Sequence, residues 1–223
     1  MTNKVFEKFT ELFKLRCDNY ALLNFGEDSV RYDFFCAISE ILKLEPWQIQ
    51  LEYAMNNKSY TLRGNANSKR KEKPMLDLIV DYKKTNICVE FGLFRQNSNE
   101  KGNINKTNRT IKMVNDMIRL SLESHYSKRD AYFVCVADEK MLNHQLRSKL
   151  LGKFPTNYLI TTDTIHEIIL LKSGGLDLRF ITKFNSLKSI IKANLIYEAE
   201  INARKTVFQT KILIWEVILE KDN

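Results

Sequence analysis

Two apolar runs that each carry one acidic residue constrain the fold of this chain more than any other feature. Residues 75–82 read MLDLIVDY and residues 86–94 read NICVEFGLF, with polar residues 83–85 between them. Short runs of this composition, separated by a polar turn, predict the two strands of a hairpin. Asp77 and Glu90 interrupt the runs, and a charge in such a setting costs several kcal/mol unless it is paired or bound to a metal. This cost indicates a function for both acids.

The predicted hairpin register brings the two acids together. A turn centred on Lys84 and Thr85 pairs residue 77 with residue 92, and residue 79 with residue 90. Asp77 and Glu90 are then diagonal neighbours on one face of the sheet, roughly 7–8 Å apart at the backbone. Both carboxylates could then bind one divalent cation. The alternative is that both acids face solvent on alternating strands.

The rest of the chain alternates helix patterns with strand patterns, which is typical of an α/β domain. Helices are predicted over residues 3–24, 30–44, 106–125 and 140–151, and from residue 163. Strands are predicted over residues 49–53, 131–137 and 158–161, with the apolar residues 131–137 buried on both faces. Residues 194–201 and 207–219 fit either two strands or a strand and a helix.

The helix predicted over residues 106–125 has an apolar stripe that should face the core. Its polar residues, which include Lys112, Asp116 and Arg119, are expected on the outer side. Asp116 and Arg119 are three residues apart, so we expect a structural ion pair between them.

Composition limits the class of protein and its partners. The 223 residues, 44% of them hydrophobic, suffice for a single domain over residues 1–223. The net charge of +8 suits a polyanionic partner. The four cysteines are far apart and show no zinc spacing. No apolar run approaches the roughly 20 residues of a membrane span, and no signal peptide is visible, so the expected location is cytoplasmic, away from membranes.

A pattern of short motifs resembles the PD-(D/E)XK superfamily of nucleases. Glu52 lies in a predicted strand, Pro74 to Asp77 read P-x-x-D, and Val89 to Gly92 read V-E-F-x. The following helix and the apolar strand over residues 131–137 are similar to the rest of its αβββαβ core. The resemblance covers about residues 30–140 and leaves about 141–223 as a C-terminal extension.

The resemblance implies a restriction-endonuclease-like central mixed β-sheet flanked by helices. It implies that Asp77 and Glu90 bind Mg²⁺ or Mn²⁺, and that Glu52 supplies an accessory catalytic carboxylate, with Glu40 and Asp33 as weaker alternatives. The implied activity is that of a metal-dependent endodeoxyribonuclease that hydrolyses DNA phosphodiester bonds, as restriction and phage-defence enzymes do.

The chain departs from this superfamily at Gly92, which stands where its members carry a lysine. Substitutes for that lysine are Arg95, Gln96, Lys106, Arg109 and Lys112. If none acts, the alternative is a catalytically impaired nuclease-fold subunit that binds DNA or serves in assembly. On the lost-lysine account, Gly92→Lys should raise cleavage. A third hypothesis, a small-molecule enzyme, lacks any cofactor motif.

A nuclease also needs cations along the phosphate backbone of its substrate. The expected nucleic-acid-binding residues lie around the same cleft and are Arg70, Lys73, Arg95, Lys106 and Arg109, accompanied by Lys69 and Lys71. The expected partner is DNA, and a homodimer is left open.

Overall fold

The computed structural model describes residues 3–62, 73–95, 105–146, 151–172, 174–206 and 208–221. Its helices are α1 (Asn3–Asn19), α2 (Glu27–Leu42), α3 (Lys106–Ser127), α4 (Thr162–Leu171) and α5 (Leu178–Leu187). Its strands are β1 (Ile49–Ala54), β2 (Met75–Tyr82), β3 (Thr85–Phe94), β4 (Asp130–Asp138), β5 (Tyr158–Ile160), β6 (Ser189–Glu200) and β7 (Thr210–Lys221). Short 3-10 turns cover Leu22–Asn24 and Pro46–Gln48.

All seven strands form one mixed sheet in the order β1-β2-β3-β4-β7-β6-β5. β3 and β4 pair in parallel, whereas the other neighbouring strands pair antiparallel. The parallel pair requires a crossover connection, and α3 provides it. The prediction of an α/β protein with a central mixed sheet flanked by helices is confirmed.

Two apolar cores lie on opposite faces of this sheet. α1 and α2 cover one face, where Phe9, Phe13 and Phe34 are fully buried. α3, α4 and α5 cover the other face, together with Trp215 of β7. β4 is buried on both faces over residues 131–137, as its apolar sequence predicts.

The C-terminal third completes the sheet. β6 and β7 form the two-strand alternative for this region, and they extend beyond the predicted ranges. β7 pairs with β4, from Tyr132–Glu216 to Asp138–Thr210. Residues beyond 141 therefore continue the sheet that carries β2 and β3.

The helix predicted over residues 140–151 is wrong for the part that the structure describes. Residues 139–143 form turns, in which Asn143 has a left-handed backbone with φ of 60°, and residues 144–146 are not helical. The Asn143 N–H donates to the Phe154 carbonyl at 2.7 Å, and the Phe154 N–H donates to the His144 carbonyl at 2.8 Å. These tertiary hydrogen bonds override the local helical pattern.

No helix within the described ranges combines the length and the apolar character that crossing a bilayer requires.

Candidate active site

The β2–β3 hairpin differs from its predicted register by two residues. Tyr82 pairs with Thr85, so the turn consists of Lys83 and Lys84, and Ile79 pairs with Cys88 rather than with residue 90. Lys83 allows the tight turn through its positive φ of 54°. A two-residue shift preserves the face on which each side chain lies. The register extrapolated from these pairs puts Asp77 level with Glu90 instead of diagonal to it.

The backbone pairing of β2 with β3 ends just before Asp77, and from there on side chains make the hydrogen bonds to the strands. That pairing runs from Tyr82–Thr85 to Leu78–Val89. In the next position, the Phe91 N–H donates to Asp77 Oδ2 at 2.9 Å. Farther along β2, Arg119 donates to the Met75 carbonyl. The two strands thus separate at Asp77, and polar side chains enter the opening.

Glu90 lies at the base of this opening, and its side chain is 3% exposed. Its carboxyl is within hydrogen-bonding range of the Asp77 carboxyl. Burial raises the pKa of Glu90 well above its usual range, Arg119 opposes this shift, and the neighbouring carboxylates of Asp116 and Asp77 add to it. Two adjacent carboxyls in a buried site hold either a proton or a cation between them.

Arg31 of α2 neutralises the other side of Asp77. Its Nη2 lies 2.6 Å from Asp77 Oδ1, and its Nη1 lies 2.6 Å from Glu52 Oε1. Glu52 is therefore joined to Asp77 through an arginine. Its side chain is 57% exposed, so it lies at the rim of the site.

The two weaker accessory candidates form ion pairs with α1. Asp33 pairs with Arg16 at 2.6 Å, and Glu40 pairs with Lys8 at 3.1 Å. Both pairs join α1 to α2, so these acids contribute to packing of that helical layer.

The polar face of α3 points towards Glu90, which corrects the expectation that it lies on the outer side. Asp116 has a side-chain exposure of 5% and Arg119 of 17%. The expected Asp116–Arg119 ion pair is present at 3.3 Å. However, Arg119 Nη2 also lies 2.9 Å from Glu90 Oε1, which makes the pair part of the site.

Lys112 of α3 reaches the strand next to Gly92. Its Nζ donates to the Phe91 carbonyl at 2.9 Å and to Asp116 Oδ2 at 3.0 Å, and it lies 3.3 Å from Glu27 Oε2. Burial opposes its charge, but the carboxylates of Asp116 and Glu27 outweigh burial and raise the pKa of Lys112. Lys112 therefore remains a cation at neutral pH.

Gly92 has little room for a side chain. A Cβ at this position would lie 3.0 Å from Phe133 Cζ and 3.0 Å from Phe94 Cε1. A lysine there would have to displace two packed rings, so the expectation that Gly92→Lys supplies a missing base is not supported by this geometry.

Glu123 shows what a purely structural buried carboxylate looks like in this protein. It is fully buried and accepts hydrogen bonds from the Asn56 N–H, Ser59, Ser127 and Arg129 at 2.6–3.0 Å. Glu90, by contrast, has a buried Oε1 without a well-directed hydrogen bond, although Arg119 is close. The site around Glu90 is thus incompletely satisfied.

The site is also negatively charged as a whole. We define the ionic cluster as six carboxylates and three cations joined by ion pairs or carboxyl contacts: Glu27, Asp28, Glu52, Asp77, Glu90, Asp116, Arg31, Lys112 and Arg119. Full ionisation leaves an excess of three negative charges, two of which one divalent cation would balance.

The ligands available to such a cation are few. Within the described ranges, no group of three or more His, Cys, Asp and Glu side chains could hold a metal. Asp77 and Glu90 supply hard carboxylate oxygens, whereas the Phe91 carbonyl already accepts a hydrogen bond from Lys112 Nζ at 2.9 Å. This donor set fits Mg²⁺, which binds few protein ligands and keeps several waters.

Four of the predicted nucleic-acid-binding residues lie within the described ranges. Lys73 precedes β2, and Arg95 follows β3, where it donates to the Phe25 carbonyl at 2.8 Å. Lys106 and Arg109 lie in the first turn of α3, and burial together with the charge of Arg109 lowers the pKa of Arg95. Arg70, with Lys69, Lys71 and Gln96, lies outside the described residues.

A cleft of about 850 Å³ lies on the α3 side of the sheet. Its lining includes Thr61, Asn115, Arg179 and Thr182. Asn115 and Arg119 are four residues apart on α3 and so share a helical face. The Arg119 guanidinium also lies 5.7 Å from the centre of the Phe180 ring, beside Arg179. Arg119 thus joins the ionic cluster to Phe180, which follows the cleft-lining Arg179 on α5.

The sequence analysis missed three residues of the ionic cluster, Glu27, Asp28 and Arg31. Glu27 and Arg31 lie in the first turns of α2, where acidic and basic residues are usually solvated. The available signal was the spacing of Lys112, Asp116 and Arg119 along one face of a strongly apolar helix.

Comparison of this chain with models of known protein families, with curated proteins and with solved structures gave no match.

Proposed function

We propose that this protein is a Mg²⁺-dependent endodeoxyribonuclease with a restriction-endonuclease-like fold. The observation that carries the proposal is the pairing of Asp77 and Glu90 at the point where β2 and β3 separate. Two neighbouring carboxylates, one of them buried and poorly hydrogen-bonded, suit a divalent cation better than any neutral ligand. The order β1-β2-β3-α3-β4 is consistent with the αβββαβ core that the motifs resemble.

Lys112 takes the place of the missing lysine in this proposal. Its ammonium reaches the Phe91 carbonyl, one residue after Glu90, from the opposite wall of the site. Because carboxylates keep it protonated, its role is to orient the attacking water and stabilise charge on the phosphate. Proton removal from the water falls to another group.

The chemistry of the reaction divides between the cation and the chain. A bound Mg²⁺ supplies neutralisation of phosphate charge and lowers the pKa of a coordinated water. Asp77 and Glu90 fix the position of that ion, and Arg31 and the Phe91 N–H fix Asp77. Lys73, Arg95, Lys106 and Arg109 supply the phosphate track for DNA.

The alternative function is that of a nuclease-fold protein without catalysis, which binds DNA or serves in assembly. One observation favours it: both oxygens of Asp77 already have protein donors, Arg31 and the Phe91 N–H. A metal would have to share Asp77 with these groups. Cleavage assays separate the two functions, because both predict DNA binding.

The carboxylates are tested first. With Mg²⁺ and plasmid DNA, Asp77→Asn and Glu90→Gln should each lower the cleavage rate on the order of 100-fold or more, because each removes a metal ligand. Asp81→Asn is the matched control, since Asp81 lies on the same strand with a 61% exposed side chain. Equal cleavage by all variants would refute the metal site. DNA binding without cleavage by the parent would favour the non-catalytic alternative.

The second prediction separates Lys112 from Gly92. Lys112→Met should lower cleavage about 100-fold because a charge beside the reacting phosphate is lost, whereas Lys112→Arg should retain part of the activity. Lys14→Met, on the exposed face of α1, is the control.

Gly92→Lys should reduce stability by about 1–3 kcal/mol in urea denaturation without raising cleavage, because Phe94 and Phe133 occupy the space. Higher cleavage by this variant would restore the lost-lysine account.

The third prediction concerns pH. The raised pKa of Glu90 means that folding favours its neutral form, so this group's contribution to stability is present at low pH and is lost as pH rises from about 4.5 through its folded pKa. Mg²⁺ must displace the proton, so calorimetry should show metal affinity rising about tenfold per pH unit below that pKa. The metal should also raise the melting temperature more at higher pH. Affinity independent of pH would contradict proton displacement at Glu90.

A further inference from the structure

The Arg119 guanidinium is the positive charge next to Glu90, and a metal that binds Glu90 would have to replace it. Its Nη2 lies 2.9 Å from Glu90 Oε1 and also donates to the Met75 carbonyl. The approach to Glu90 is an ion pair without hydrogen-bond geometry. Because a carboxylate oxygen is the ligand that a divalent ion prefers, such an ion would compete with Arg119 for Glu90.

The remainder of the Arg119 side chain has independent anchors. Nη1 pairs with Asp116 Oδ1 at 3.3 Å, and the guanidinium lies over the Phe180 ring at 5.7 Å. These contacts hold one edge of the guanidinium while the Nη2 edge changes partner. The cleft lined by Thr61, Asn115 and Arg179 lies on the same side of α3.

We propose that Arg119 couples metal binding to DNA binding: it neutralises Glu90 in the metal-free protein, and a bound metal releases its Nη2 edge to a backbone phosphate of DNA in the adjacent cleft. The proposal rests on the metal site put forward above. Arg119 is thus a positioning residue for the metal and a contact for the substrate. A guanidinium suits both tasks because its donors match carboxylate and phosphate geometry equally well.

Competition with the metal is tested by calorimetric titration with Mn²⁺. Arg119→Gln should bind Mn²⁺ about tenfold more tightly than the parent, because the competing charge is gone. Arg119→Lys keeps the charge and should stay close to the parent. Arg204→Gln removes one positive charge from an exposed turn between β6 and β7 and should change nothing. If Arg119 only stabilises the fold, Arg119→Gln should not bind Mn²⁺ more tightly, because a loosened site would have a lower affinity for the metal.

Coupling to substrate is tested by fluorescence anisotropy of a labelled DNA duplex with Ca²⁺, a poor catalyst, or with EDTA. The parent should bind DNA about tenfold more tightly with Ca²⁺ than with EDTA, and Arg119→Gln should lose most of this difference. If the parent binds DNA equally well with Ca²⁺ and with EDTA, the coupling is refuted. This measurement uses only the parent protein, so it does not depend on the folding of any variant. Mn²⁺ affinity of Arg119→Gln at or below that of the parent would overturn the competition.

The two proposals fail in different ways. If the parent binds no Mn²⁺, the metal site itself is refuted, and the role of Arg119 with it. If the parent binds Mn²⁺ and Asp77→Asn abolishes that binding while Arg119→Gln leaves it unchanged, the metal site stands and only the coupling is refuted.

Discussion

Burial of Glu90 against Asp77 is the constraint on which the rest of the site depends. A nearly inaccessible carboxyl beside a second one is unfavourable as an ion, so the surrounding structure has to supply protons or positive charge. Two helices supply three cations: Arg31 comes from α2, and Lys112 and Arg119 come from α3. The packing of both helical layers on the sheet is thereby tied to one pair of acids.

Glu90 and Glu123 differ in how their surroundings satisfy them, and this difference supports the proposed role of Glu90 and Asp77. Glu123 is equally buried, but four donors satisfy it, and its negative charge faces Arg129 at 3.0 Å. Among the described residues, Glu90 Oε1 has an ion pair with Arg119 but no hydrogen bond, and the neighbours of Glu90 include two further carboxylates. A buried site whose charges are not fully neutralised lowers the stability of the fold. Destabilising sites of this kind concentrate where proteins bind ligands. The incomplete neutralisation of Glu90 favours cation binding at this site.

The sequence was sufficient to predict the β2–β3 hairpin, because two apolar runs separated by a polar turn favour paired strands. The register was wrong by two residues. Amphipathic periodicity found α3 but could not tell whether its polar residues face water or a second polar surface, so Asp116 and Arg119 were placed outside. The crowding at Gly92 comes from Phe133 on β4, a contact between segments distant in sequence.

The central claim is that Asp77 and Glu90 share one divalent cation, and a crystal structure with Mn²⁺ tests it most directly. Anomalous diffraction at the manganese edge should give one peak between the two carboxylates, with Mn–O distances of about 2.1–2.3 Å, next to the Phe91 carbonyl. Arg119 Nη2 should have moved away from Glu90 Oε1 in the same crystals. No anomalous peak at millimolar Mn²⁺, with Arg119 still on Glu90, would contradict the account and leave the ionic cluster as a structural feature of the fold.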